Sequence, residues 1–201
     1  MLGDVTAATS RVESGRVTRE RLLEAAISRF AEGGADTSFD VIAADVGVTK
    51  GALYHHFGSK EQLVEEVYKE AVRRHAERVV AASGTGAGRE RLQGLIDATA
   101  RLYGSGTPFY RLLLRLHVEA GSSRPHLAAI ALRVQRRQRA YMTELVAAGQ
   151  ADGSIRDDVD PAAVGDTVNA ALQGLLVQQL EPAAAQRRAT ESFARLMDTL
   201  L

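Results

Sequence analysis

Between Ser38 and Lys60 the chain reads SFDVIAADVGVTKGALYHHFGSK, and this stretch decides the fold. Apolar residues recur at helical spacing on either side of Gly47, so it predicts two short helices. The first runs from Ser38 to about Val46 and buries Phe39, Ile42, Ala43 and Val46. Gly47 breaks it, Thr49 is placed to cap the second, and that helix runs through Leu53 to about His56. Two helices this short cannot hold a core alone; their spacing around a glycine turn is that of a helix-turn-helix.

If Ile42, Ala43, Val46, Val48 and Leu53 face inward, the second helix turns Thr49, Lys50, Gly51, Ala52, Tyr54 and His55 outward. Lys50, Gly51 and Ala52 at the helix start are slim or flexible, which lets a backbone approach base edges in a major groove. Tyr54, His55 and Lys60 supply donors of the kind that anchor to phosphate, and Phe57 plugs the pair onto its core. With Ser38 added at the start of the first helix, these form the candidate DNA-contacting set. His56 reads as a packing histidine and is left out of it.

Working outward, Thr18 reads as an N-cap, with Leu22, Leu23, Ala26, Ile27 and Phe30 on one face of a helix that ends at Gly33-Gly34. Residues 1–16 show no period and are expected to be a flexible arm. Ser59 with Gln62 predicts a capping box opening a long helix to about Ala82, on which Glu65–Lys69 and Glu70–Arg74 are favourably ordered pairs. Ser83 to Gly88 is a glycine-rich break. Helices are then expected at about Arg89 to Tyr103, Pro108 to Gly121, Pro125 to Gln150, Pro161 to Leu180 and Ala185 to Leu201. Thr107-Pro108 and Asp160-Pro161 fit an N-cap followed by proline at the first helical position. No stretch reads as a strand. The class is all-α with about nine helices: an arm (1–16), a helix-turn-helix module (17–63) and a larger helical module (64–201).

The quoted residues resemble the TetR/AcrR transcriptional regulators. Phe30 to Gly34, Ile42-Ala43, Gly47-Val48, Leu53 to Phe57 and Ser59 to Leu63 follow that family's pattern. The resemblance covers Thr18 to about Leu63. It implies an all-helical homodimer in which each N-terminal module reads half of a pseudo-palindromic double-stranded DNA operator and the C-terminal module binds a small-molecule effector. The function expected is a repressor released by a small, largely apolar effector. An activator of the same fold, or a carrier or enzyme with a vestigial DNA-binding module, are the alternatives; footprinting upstream of the coding region separates the last from the others.

In the larger module, the helix from Pro108 to Gly121 is apolar nearly all round and so is buried on more than one side. Plain core packing would account for that. The functional reading is an effector cavity lined by Tyr103, Phe109, Leu113, His117, Met142, Asn169 and Gln173, in which a few polar groups orient an apolar ligand. The last two helices carry Val164, Val168, Leu172, Leu175, Leu176, Gln179, Phe193, Leu196, Met197 and Leu200. Too few other elements remain to cover them, so they are expected to form a two-fold interface of about 1,600 Å² or more.

Composition sets the outer bounds. The chain has 201 residues with 25 basic and 25 acidic side chains, so a globally basic nucleic-acid coat is excluded. From Met1 to Lys60 seven basic residues face eight acidic ones, while Gly47 to Lys60 contains no acid. The salt dependence of DNA binding is therefore expected to be modest, at roughly 0.9 log units per phosphate neutralised. The absence of cysteine removes disulfides, thiolate nucleophiles and cysteine-ligated zinc. No H-E-x-x-H, calcium-loop or dinucleotide spacing is present, so no cofactor is expected and enzyme chemistry finds no support. The cluster Arg133, Arg136, Arg137 and Arg139 reads as a solvated helix face. With no signal peptide or long apolar run, the expected setting is cytoplasmic, without membrane insertion.

Overall fold

In a computed structural model, residues 3–177 and 183–200 are described, and they form helices joined by short turns. In chain order these are α1 (Gly3–Gly33), α2 (Phe39–Val46), α3 (Lys50–Phe57), α4 (Lys60–Ser83), α5 (Gly88–Gly104), α6 (Pro108–Ala120), a 3-10 turn (Pro125–Leu127), α7 (Ala128–Ala151), α8 (Pro161–Val177) and α9 (Ala183–Leu200). No strand occurs among the described residues. The chain divides into two compact units, Met1–Ala71 and Val72–Leu201, and α4 carries residues of both.

The first unit is built around Leu22, Phe30, Phe39, Ile42, Leu53, Phe57 and Leu63, all buried. Its local structure follows the expected signals. Ser38 Oγ accepts from the Val41 N–H and Thr49 Oγ1 from the Ala52 N–H, so both short helices are capped by their own hydroxyls. Gly47 takes φ 74°, and the N–H groups of Gly47 and Val48 close on the carbonyls of Ala44 and Ala43. That pairing is a Schellman turn, which needs a left-handed residue at this point. Ser59 Oγ likewise accepts from the Gln62 N–H at the start of α4.

The N-terminus departs from expectation. Helix α1 begins at Gly3, where an arm was expected up to Arg16, and Thr18 lies inside it. The segment contains no proline and has Arg16 paired with Glu20 at 2.9 Å, one turn apart. The Thr18 hydroxyl donates to the Ser14 carbonyl at 2.9 Å, the back-bond of a threonine in a helix interior, so it caps nothing.

In the second unit α7 and α8 pack along one another, α5 lies against both, and α9 lies against α5 and α8. Gly88 shows how closely α5 and α7 approach: a Cβ built there would fall 2.1 Å from the Gly149 nitrogen. The same junction caps α5, since the Gly88 N–H donates to Asp152 Oδ2 at 2.7 Å and the Arg89 N–H to Ser154 Oγ at 3.1 Å. The glycine-rich break before α5 and the turn after α7 thus form one helix-capping contact. Asp160 caps α8 as expected, accepting from Ala162 and Ala163, whereas Thr107 has N-cap backbone geometry with no side-chain bond.

Candidate nucleic-acid interface and effector region

Helix α3 presents its side chains as its caps and core contacts dictate. Leu53 and Phe57 are buried, which leaves Thr49, Lys50, Gly51, Tyr54 and His55 exposed on the opposite side, with Ala52 partly so. Ser38 is exposed at the start of α2. Tyr54 is 48% exposed but is not loose, because its ring rests on Phe39 at a centroid distance of 4.9 Å. The phenol oxygen is thereby held outward on an aromatic base.

The charges are less free than the sequence suggested. Lys50 Nζ meets Asp40 Oδ2 of α2 at 2.8 Å, and that hydrogen bond, with the carboxylate charge, raises the Lys50 pKa. The acid-free window is therefore not acid-free in space. Lys60 Nζ donates to the backbone carbonyl of Asp36 at 2.6 Å, tying the start of α4 to the turn before α2. Arg29 grips Asp45 with two bonds of 2.5 and 2.6 Å, joining α1 to α2 and holding the Asp45 carboxyl below its usual range. Arg19 reaches Glu66 at 2.8 Å and lies over the Phe57 ring at 5.0 Å. Burial, aided by neighbouring His55 and Arg19, pushes the His56 imidazole below its ordinary pKa.

Asp40 and the Asp36 carbonyl are thus parts of this surface that the reading of residue types overlooked, and buried Phe39 supports it from beneath. Asp40 and Phe39 stand at the start of the first short helix, where an acid-lysine and an aromatic pair across the turn were the available signals. The Asp36 carbonyl carried no signal, because any residue supplies one.

Gly51 stands out for a different reason. It lies in α3 without the positive φ that would demand glycine, and an added Cβ would meet only the Thr49 hydroxyl, at the ordinary contact distance of 3.7 Å. Nothing among the described residues requires glycine there, and glycine weakens a helix.

In the second unit, Tyr103, Leu113, Met142 and Asn169 are buried, while Phe109, His117 and Gln173 are half-buried. Burial lowers the His117 pKa. Tyr103 belongs to a cluster whose other members, His75 of α4 and Tyr110 of α6, the expected lining set omits. His75 occupies the stripe Ala71, His75, Val79 that the helical period buries, so a histidine at an apolar position was the available signal.

The expected interface residues divide sharply. Val168, Leu172, Leu175, Leu176 and Met197 are buried within the single chain, so they have almost no area left to bury against a second copy. Val164 and Phe193 are half-buried, and Leu196 is 62% exposed. Gln179 lies outside the described residues, as does the side chain of Leu200. The outward stripe of α8 is instead Ala163, Thr167, Ala170, Gly174 and Val177, small residues at three- and four-residue spacing. Of the α7 arginines, Arg133, Arg136 and Arg137 are exposed and Arg139 lies 3.6 Å from Asp166. No described helix is long and apolar enough to cross a membrane.

Comparison with known proteins places this geometry. The family model of bacterial regulatory proteins of the tetR family matches residues 22–67, and that of the C-terminal region of BetI-type transcriptional repressors matches residues 88–201. Over 53 residues the chain is 47% identical to the HTH-type transcriptional repressor KstR2 of Mycolicibacterium smegmatis, which is 26% of each protein. That match spans about a quarter of the relative's length. Over 160 residues it is 29% identical to the HTH-type transcriptional repressor AcnR of Corynebacterium jeikeium, 76% of this chain and 73% of the other. A TetR transcriptional regulator from Chloroflexus aurantiacus superposes with a TM-score of 0.80 at 26% identity, covering 92% and 96% of the two chains. A TetR transcription regulator from Haloarcula marismortui gives 0.82 at 17% identity over 92% and 99%.

Proposed function

Because this chain belongs to the TetR family of transcriptional regulators, with a C-terminal region of the BetI repressor type, we propose that it represses transcription as a homodimer on a pseudo-palindromic operator and is released by a small, largely apolar effector. The observation that carries the reading is the outward face of α3. Thr49, Lys50, Gly51, Ala52, Tyr54 and His55 lie on a helix fixed by hydroxyl caps and a Schellman turn, with a glycine that the chain itself does not need.

In this reading Gly51 and Ala52 admit a base-pair edge, and Thr49 and Lys50 read it. Tyr54, His55, Ser38 and Lys60 hold the phosphates on either side. Lys50 leaves or shares Asp40 as it does so, and the near-neutral charge of residues 1–60 keeps the salt dependence shallow. Residues 17–63 are the reading module, and residues 64–201 bind effector and partner.

The small-residue stripe of α8 supports the dimer. The Thr167 hydroxyl is satisfied by the Ala163 carbonyl, so the residue presents a methyl group, and a Cβ at Gly174 would meet open space. Val177 and Leu196 add exposed apolar area. Two copies of such a stripe can approach closely about a two-fold axis. The recognition helices of the pair then sit about 34 Å apart, one turn of duplex. Effector bound in the second unit acts through α4, and a coupling of about 1–3 kcal/mol weakens operator binding about 5- to 150-fold.

Footprinting on the DNA upstream of the coding region, paired with sedimentation at micromolar concentration, tests this. A protected palindrome and a dimer are expected. No protection, or a monomer, overturns it.

A further inference from the structure

Three aromatic rings meet in the second unit. His75 and Tyr103 are stacked with centroids 5.1 Å apart, and Tyr110 stands edge-on to both at 5.8 Å. All three are buried, with His75 6% exposed and Tyr110 2%. Their polar atoms are unevenly served. His75 Nε2 and the Tyr103 hydroxyl lie 3.2 Å apart and share a hydrogen bond, whereas His75 Nδ1 and the Tyr110 hydroxyl have no partner among the described residues. The large majority of buried polar side-chain atoms in native proteins have a hydrogen-bond partner in protein, ordered water or ligand, because one without forgoes its bond to water. Two on rings in direct contact mark one place where a partner from outside the chain is wanted.

We propose that His75, Tyr103 and Tyr110 form a buried hydrogen-bonding locus that takes the hydroxyl or carbonyl oxygen of an uncharged, mostly apolar effector, with His75 Nδ1 and the Tyr110 hydroxyl as its direct contacts. This deepens, and rests on, the reading of the second unit as the effector-binding region.

The chemistry of the locus selects against charge. Burial, with the charge on Arg78, pushes the His75 pKa down to about 4, so the imidazole is neutral at physiological pH. One of its nitrogens then donates and the other accepts, and the shared bond with Tyr103 decides which is left at Nδ1. Tyr110 does either, so the pair suits an alcohol, a phenol or a ketone. Aromatic faces can also hold a quaternary ammonium ion. Here, however, one face of His75 and one of Tyr103 are taken up by each other, and a neighbouring charge is the Arg78 guanidinium, seated 5.1 Å over the Phe109 ring. A cation would be repelled, and an anion would meet neutral partners in a buried setting.

The test uses the full chain without DNA, reading the melting temperature and calorimetric binding with p-cresol, cyclohexanone, toluene and tetramethylammonium. The two oxygen-bearing probes should bind saturably, p-cresol about tenfold or more tighter than toluene, which differs only by the hydroxyl. Tetramethylammonium should not bind. Tyr110→Phe removes an unsatisfied hydroxyl while keeping the ring, so its unliganded melting temperature should hold or rise while the preference for p-cresol over toluene is lost; His75→Phe should lose it too. Equal binding of p-cresol and toluene, no binding of either oxygen-bearing probe, binding of the cation, or a lowered unliganded melting temperature for Tyr110→Phe would each overturn the proposal. Because no DNA is present, its failure and failure of operator recognition are read separately.

Discussion

Replacing Gly51 by alanine should strengthen the fold and weaken its use. The added methyl points towards solvent from an exposed helical position and touches only the Thr49 hydroxyl at 3.7 Å, so it introduces no clash. Backbone strain is absent because Gly51 does not have a positive φ. What remains is the ordinary advantage of alanine over glycine in a helix, about 0.5–1 kcal/mol, with the lower end expected because the position is in the first turn. In the proposed complex the same methyl would stand where the backbone comes nearest the base edges, and loss of one good base contact costs about 1–3 kcal/mol, or roughly tenfold or more in affinity. Urea denaturation followed by far-ultraviolet circular dichroism measures the first effect. Anisotropy titration of a labelled operator, defined by footprinting, measures the second. A destabilised variant would show that the fold itself requires this glycine. A stabilised variant with unchanged operator affinity would refute the close approach of α3 to the groove.

Gly47→Ala should behave oppositely, costing about 1–2 kcal/mol from its φ of 74° alone, since open space surrounds the new methyl. Thr49→Ala removes the hydroxyl that accepts from the Ala52 N–H and should cost about 1 kcal/mol in the same urea assay. Tyr54→Ala and Lys60→Ala should each lower operator affinity about tenfold in the anisotropy titration while sedimentation shows the dimer intact; unchanged affinity for both would remove them from the contact surface. Histidine 75 predicts a pH dependence: the unfolded chain takes up its proton near pH 6.5 and the folded one only near about 4, so the stabilisation is complete above pH 6.5 and is lost as pH falls between those values. The loss should reach about 2 kcal/mol at about pH 5, and a His75→Phe variant showing the same fall from about pH 7.5 to 5 would contradict it.

Much of the helix-turn-helix and of the helix starts elsewhere was legible because their determinants are short-ranged. Ser38, Thr49, Ser59 and Asp160 each cap a helix through bonds to residues two or three positions away, and Gly47 closes its turn within five. The failure at Thr18 came from the same kind of reasoning. A threonine before an apolar run looks like a cap, but the residues before it sustain a helix, so its hydroxyl turned back to Ser14. The second unit was legible only in outline. Tyr103 could be singled out by type, yet its partners His75 and Tyr110 could be recognised only once α4, α5 and α6 were set side by side.

The amino-acid order alone determined most of the helices, the caps of α2, α3, α4 and α8, the glycine turn and the face that α3 turns outward, because a helix satisfies its hydrogen bonds and its apolar period within a few residues. Only the tertiary structure decided which charges neutralise one another. Asp40 claims Lys50, Glu66 claims Arg19 from 47 residues away, and Asp152 caps α5 from 64 residues away. It also decided that Val168 and Leu172 serve the core while Ala170 and Gly174 face outward. Ion pairs and burial depend on distances that exist only after the helices have packed, and no local pattern encodes those distances.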